Sequence, residues 1–393
     1  MSMNIPASLF GQGISAEQFL AEYWQKKPLL MRQALPGFVS PVSPETLAGL
    51  ACEEMVESRL LVEKGGAEPW LLKHGPFVDA DFLQLPATHW TLLVQEANKH
   101  IPELSELLQR FDFLPSWWFD DIMISYAPDQ GTVGPHFDYY DVFLFQAQGK
   151  KRWQINTRDV ADSNYIAGID LRIMQDFEAE YDWVLEPGDM LYLPPGVAHH
   201  GVAIGDSLTC SIGYRAISQV EMMTSFMEHM IEAMPANTHL KGADLEVSRH
   251  PGEISGQMLA KVSCIIKALP LNDNDIADWF GQFVTEPRGC YQLESPDMAV
   301  DAATLVDYLQ AGNTLFRYEH SRFNFIRTGD NTVTLYIDGR AHLIPADGVA
   351  LAELLCDQPC YSGADLAGYF SNYDALSLLV RLFNQGQLYM VDE

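Results

Sequence analysis

Between Asp121 and Tyr214 the apolar residues fall into short runs separated by Gly, Pro, Asp and Asn. The runs are Ile122–Tyr126, Val142–Gln146, Arg152–Ile155, Met190–Leu193 and Leu208–Tyr214. Runs this short, with turn residues between them, predict the strands of an all-β barrel or sandwich. The flanks differ. Ala16–Gln25 places Phe19, Leu20, Tyr23 and Trp24 at helical spacing before Pro28 stops it, and Ser43-Pro44-Glu45 has the cap, first-turn proline and acid of a helix start. Trp90–His100 is expected as another amphipathic helix. Helical spacing returns after Arg215, in Gln219–Met234 (Met222, Met223, Phe226, Met230, Ile231) and Gly256–Ala268 (Met258, Leu259, Val262, Ile265, Ile266). A Met-rich stripe reads as core or subunit interface. From Pro296 onward the order is a helix at Ala302–Gln310, strands Phe323–Arg327 and Thr332–Ile337 around Gly329-Asp330-Asn331, then helices at Val349–Cys356 and Tyr373–Gln385. That order is like a winged-helix module. The divisions expected are residues 1–110, a mixed N-terminal decoration; 111–216, the β core; 217–295, a helical region; and 296–393, the winged-helix-like domain.

Charge narrows the partners. The chain of 393 residues carries 24 Lys and Arg against 53 Asp and Glu, a net charge of −29. Such a field repels phosphate, so nucleic acid and anionic membrane are poor partners and a basic protein is a good one, although acidity also serves solubility. A hydrophobic fraction of 48% is that of a globular protein. No run of about 20 apolar residues suggests a membrane span. Met1–Gly13 lacks the basic and apolar regions of a secretory signal. The six cysteines are scattered, which supports neither a zinc ribbon nor a disulfide framework and reads as reduced thiols in a cytosolic protein.

The sharpest motif is Gly134-Pro135-His136-Phe137-Asp138. In an extended strand His136 and Asp138 share a face and can offer a nitrogen and a carboxylate oxygen to one ion. Downstream, Pro187-Gly188-Asp189 leads into an apolar strand, and Pro194-Pro195-Gly196 then presents His199 and His200. Two histidines and one carboxylate on one face leave adjacent coordination positions open, the arrangement that suits non-haem Fe(II) and oxygen chemistry. Zinc is the weaker candidate, since HExxH and paired cysteines are missing. The alternative is a pair of buried histidines satisfied within the core.

These residues resemble those of the JmjC, cupin-fold ribosomal oxygenases. The resemblance covers most of the chain: Tyr23–Leu30, Ser58–Leu60, Trp90–Gln95, Asp120–Tyr126, Gly134–Gln146, Gly149–Trp153 and Ser211–Ala216. It implies an α+β protein with a double-stranded β-helix core, N-terminal helical decoration, a helical dimerisation region and a C-terminal winged-helix-like domain. The implied cofactors are Fe(II), 2-oxoglutarate and O2, with His136, Asp138 and His199 as metal ligands and His200 the rival for the third place. Lys151 matches the family's cation for the far carboxylate of 2-oxoglutarate. Relatives often carry Arg there, so the charge is kept but the bidentate fork is not. Its neighbours Lys150 and Arg152 share the opposite strand face. Ser125 matches a hydrogen-bond donor to the same carboxylate, the alternative being a serine bonded to backbone.

The implied substrate is an arginine of a basic ribosomal protein, hydroxylated at C3, on the sixteenth protein of the large subunit. An arginine side chain favours carboxylates and aromatic faces, and Asp120, Asp121, Tyr139 and Asp141 adjoin the metal motif, with Trp117 and Trp118 upstream. Asp120-Asp121 could equally be a surface turn. Hydroxylation of a ribosomal-protein histidine, or a non-catalytic cupin-fold binding protein, are the other readings; histone demethylation is remote. The Met-rich helices match the segment that pairs subunits, so a homodimer is expected.

Overall fold

The computed structural model describes residues 13–64, 69–158, 165–166, 171–235, 239–245, 247, 249–269, 272–287, 293, 295–296, 298–329 and 332–391. Residues 1–12, Cys290 and the expected turn residues Asp330 and Asn331 lie outside them. The chain divides into two compact units, Met1–Ala216 and Ile217–Glu393.

The first unit holds helices α1 (Ala16–Glu22), α2 (Pro44–Leu50), α3 (Asp79–Leu83) and α4 (Leu104–Leu108). Ser15 and Ser43 cap α1 and α2 by accepting the Gln18 and Thr46 N–H groups. Its strands are β1 (Leu29–Met31), β2 (Ser58–Glu63), β3 (Trp70–His74), β4 (Trp90–Val94), β5 (Phe119–Ala127), β6 (Asp141–Asn156), β7 (Tyr181–Leu185), β8 (Met190–Leu193) and β9 (Ala198–Tyr214). They form one antiparallel sheet in the order β1-β8-β6-β9-β5-β4-β2-β3, with β7 also on β6. The expected strands Val142–Gln146 and Arg152–Ile155 are two halves of β6. The first half pairs with β8 and the second with β7, while β9 follows β6 along its length.

The bend in β6 lies where its register against β9 shifts, between Gln146, Gln148 and Lys150. Gly149 (φ +65°) sits there, and a Cβ on it would lie 1.8 Å from the Asp206 carbonyl oxygen. Only glycine fits so close a crossing. One face of the sheet carries the main core, in which Phe19 of α1 meets Tyr192 at 5.0 Å and Phe143 at 5.7 Å between ring centroids.

Trp90–His100 is not a helix. Its first five residues are β4, and Ala97–Lys99 form a 3-10 turn after Glu96 (φ +51°). Thr91, Leu92, Leu93 and Val94 are all buried, and a strand covered on both faces shows no alternation to separate it from a helix.

The second unit holds α5 (Gln219–Glu232), α6 (Gly256–Lys267), α7 (Asp273–Thr285), α8 (Ala302–Gln310), α9 (Val349–Asp357), α10 (Gly363–Leu366) and α11 (Tyr373–Asn384). It also holds β10 (Thr314–Arg317), β11 (Phe323–Gly329), β12 (Thr332–Ile337), β13 (Arg340–Ile344), β14 (Cys360–Ser362) and β15 (Leu388–Tyr389). Of the Met-rich stripe on α5, Phe226 and Met230 are buried against Trp279 of α7, while Met223 and Ile231 remain exposed. The described cysteines are all free thiols. Among the described residues, no helix is long and apolar enough to cross a membrane.

Asp189, from the Pro-Gly-Asp turn, ties β1 to β8. It is buried, and it accepts bonds from Gln33 N–H (2.9 Å), Glu186 N–H (3.1 Å) and the half-exposed Arg32 guanidinium (2.5 Å). Burial pushes its pKa up, but these donors together hold it below the usual carboxylate range. Its stabilising contribution is therefore present above that range and is lost as pH falls through the lowered value. Asp189→Asn is expected to cost about 2 kcal/mol in urea denaturation at neutral pH, with the gap to wild type closing in strong acid.

Candidate metal centre and its pocket

His136 and Asp138 lie not in a regular strand but on a segment stapled to β9. The His136 N–H donates to the His199 carbonyl (3.0 Å), the His199 N–H donates to the His136 carbonyl (2.8 Å), and the Gly196 N–H donates to the Asp138 carbonyl (2.7 Å). The Pro-Pro-Gly turn, with Gly196 at φ +83°, thus carries its histidine directly onto the His-x-Asp segment. One donor atom from each of His136, Asp138 and His199 lies within 4.8 Å of the others. Asp138 Oδ2 is 3.8 Å from His136 Nε2 and 3.6 Å from His199 Nε2.

Both imidazoles are oriented by backbone. His136 Nδ1 meets the Gly134 carbonyl and His199 Nδ1 the Val197 carbonyl, each at 3.0 Å. A carbonyl only accepts, so each Nδ1 carries the proton and each Nε2 lone pair is left for an ion. Burial, with His136 beside it, lowers the His199 pKa to about 4, so the ring is neutral at pH 7, as a metal ligand must be. The donor set and its tautomers fit a facial Fe(II) site. His200 takes the opposite face of β9, where its ring meets Phe177 at 6.0 Å.

The three donors open into a pocket walled by β4, β5, β6 and β9. Lys151 lies inside it, 4% exposed, and makes no hydrogen bond or ion pair among the described residues; its Nζ stands 5.0 Å from the Trp153 ring centroid. Burial lowers its pKa to about 8, which leaves it mainly cationic at pH 7. Its rivals are spent outside: Lys150 pairs with Glu186 (2.6 Å) and Arg152 with Asp182. A buried cation with no partner calls for an anionic ligand. Ser125 lines the same pocket and makes no side-chain hydrogen bond among the described residues, against the backbone-bonded alternative.

The expected substrate residues separate. Asp121 is buried in the pocket wall, where its Oδ2 accepts from Gln95 Nε2 (2.7 Å) and the Glu96 N–H (2.9 Å). Burial raises its pKa to about 6 against those bonds. Asp120 and Tyr139 are exposed and do not line the pocket. Asp141 is buried elsewhere, its carboxylate accepting from the Tyr192 hydroxyl (2.5 Å) and Gln25 Nε2 (2.9 Å), so it serves packing. Sequence reasoning missed Tyr140, which lines the pocket together with Asp138. The signal was the two-residue period from Asp138, which selects position 140 over 139. Gln95 and Trp153 were also missed as lining residues.

A JmjC domain matches residues 106–222, and a ROXA-like winged helix matches residues 267–389, a range that includes α7, packed on β11, β12 and β13. The chain is 31% identical over 368 residues to ribosomal protein uL16 3-hydroxylase of Escherichia coli K12, covering 94% of this chain and 95% of that one. It is 43% identical over 203 residues to a probable ribosomal oxygenase of Haemophilus influenzae, 51% of this chain and 50% of that one. The solved structure of E. coli YcfD superposes with a TM-score of 0.83 at 30% identity, covering 95% of this chain and 98% of that one. YcfD in complex with cobalt and 2-oxoglutarate superposes with a TM-score of 0.80 at 30% identity, covering 96% and 98%.

Titration with Mn(II), followed by electron paramagnetic resonance, separates the adjacent histidines. His199→Ala and Asp138→Ala are expected to weaken binding by about two orders of magnitude, and His200→Ala to leave it unchanged.

Proposed function

The chain belongs to the ribosomal oxygenase family of JmjC proteins, and on that premise we propose that it hydroxylates C3 of an arginine in ribosomal protein uL16. It is a 2-oxoglutarate-dependent dioxygenase. In the proposed site, His136, Asp138 and His199 hold Fe(II), and Lys151 with Ser125 holds the far carboxylate of 2-oxoglutarate. When bound, iron with O2 and the oxo acid supplies the oxidant for the C–H bond, and succinate and CO2 leave. The observation that carries this reading is the unpaired, buried Lys151 ammonium in the same pocket as the three donors.

The chain's own groups then divide the work. The Gly134 and Val197 carbonyls fix the imidazole tautomers, and Tyr140 stands beside Asp138 in the pocket wall. Lys151 neutralises the far carboxylate where water cannot. Val142, Leu144 and Leu93 make the wall apolar, which strengthens each of these contacts. Asp121 is the pocket carboxylate left over for substrate. Gln95 holds it, and Gln95 Oε1 is itself held by the Arg59 guanidinium at 3.0 Å. A fixed carboxylate suits a guanidinium better than a neutral imidazole, which favours arginine over the histidine alternative. The net charge of −29 favours a basic ribosomal protein over ribosomal RNA as partner, which supports a reaction before assembly, in the cytoplasm.

A homodimer is the second part of the proposal. It is supported by α6, which buries none of its residues within the chain and leaves Leu259, Ile265 and Ile266 exposed. Light scattering at micromolar concentration should give twice the chain mass, and Ile265→Glu with Ile266→Glu should give the single chain mass.

Asp121→Asn is expected to lower kcat/KM on an arginine peptide by roughly two orders of magnitude, with 2-oxoglutarate affinity unchanged. For the wild type, kcat/KM should fall as pH drops through about 6, where Asp121 takes up a proton. Mass spectrometry of paired arginine and histidine peptides checks the residue. Oxygen added only to histidine would overturn the arginine assignment.

A further inference from the structure

β6 and β9 place Lys151 opposite Ala203, Trp153 opposite Gly201, and Ile155 opposite His199. The inward row of β9 therefore reads His199, Gly201, Ala203, all buried, with His200, Val202 and Ile204 on the other face. Beside the metal-ligand imidazole there is a gap one side chain wide. The indole of Trp153 fills it. A Cβ on Gly201 would lie 2.7 Å from Trp153 Cζ3 and Cη2 and 2.9 Å from Lys151 Cε. Gly201 has no positive φ, so its backbone does not demand glycine; the space does.

Trp153 is 4% exposed and touches both ends of the pocket. Its ring centroid is 5.8 Å from that of His199 and 5.0 Å from the Lys151 ammonium. A lysine alone would be a poor ruler, because its four-carbon stem can extend or fold back to meet a longer or shorter ligand. Here the end of the stem lies against the Gly201 backbone and the indole, a rigid plate, which removes that freedom.

We propose that Trp153 and Gly201 are positioning residues that fix the separation between the Lys151 ammonium and the metal, and so select a five-carbon 2-oxo diacid over its four- and six-carbon homologues. This rests on the assignment of Lys151 to the far carboxylate of 2-oxoglutarate.

The test is calorimetric binding, without O2, of oxaloacetate, 2-oxoglutarate and 2-oxoadipate to the Mn(II)-loaded full chain, with Mn(II) affinity measured separately. Wild type is expected to prefer 2-oxoglutarate by about tenfold over either homologue. Gly201→Ala is expected to weaken 2-oxoglutarate about tenfold, with Mn(II) affinity unchanged and the preference for length flattened. Trp153→Leu frees the lysine stem without adding a clash, and it decides the matter if Gly201→Ala does not fold. If the folded variants keep the wild-type ranking, the inference is overturned while the assignment of Lys151 stands, provided that Lys151→Ala abolishes binding. If wild type binds none of the three acids, the assignment of Lys151 fails and this inference with it.

Discussion

Backbone hydrogen bonds between β6 and β9 run from the Asp141–Tyr214 pair at one end to Asn156–Ala198 at the other, and the metal-donor cluster and the buried lysine of the pocket hang on them. One ladder carries His199, the Asp138 segment docked on it, Lys151 and Trp153. It works because it is not regular. Before the bend the pocket-facing residues of β6 are even, Val142 and Leu144; after it they are odd, Lys151 and Trp153. The register shifts at Gln148 change the phase of the pleat, and Gly149 permits the close crossing. With an unbroken pleat, Lys150 and Arg152 would face inward and Lys151 would meet solvent.

This phase change explains what could and could not be read from the chain. The candidate metal donors were legible because their signals are local: a two-residue spacing in His136-Phe137-Asp138, and a turn that presents the histidine. Even there the carrier differs from expectation, since a stapled segment rather than a strand supplies the common face. The buried pocket cation was not legible from pattern alone. Three successive cations fill positions 150–152, and alternation from Val142 would have selected the wrong ones; only the resemblance singled out Lys151. Adjacency to the motif proved a weaker guide than period, as Tyr139 and Tyr140 show. Asp141, also adjacent, is spent on Tyr192 and Gln25. In the second unit, Ala302–Gln310 was read with its bounds intact because it has one buried face and clear stops, and Thr332–Ile337 also kept its bounds. Trp90–His100 failed for the opposite reason, being buried on both faces.

The electrostatics of the pocket give a separate constraint. Besides its two histidines, its charged groups are the Asp138 and Asp121 carboxylates and the Lys151 ammonium. Neither Asp121 nor Lys151 has an ion-pair partner among the described residues, and burial shifts each towards its neutral form. On the proposed reading, the missing charges arrive with the ligands. A divalent metal ion meets Asp138, a dianionic oxo acid spans metal and Lys151, and a guanidinium meets Asp121. Counting Asp138, Asp121 and Lys151, the pocket stands at −1 without ligands, +1 with the metal, −1 once the oxo acid joins it, and neutral when the guanidinium arrives. Each arrival also relieves a penalty left by the one before: the metal makes the first carboxylate of the diacid tolerable, and the diacid restores the negative balance that a cationic substrate requires. Binding in that order keeps the oxidising chemistry waiting on the substrate, and the placement of Asp138, Lys151 and Asp121 around one pocket favours it.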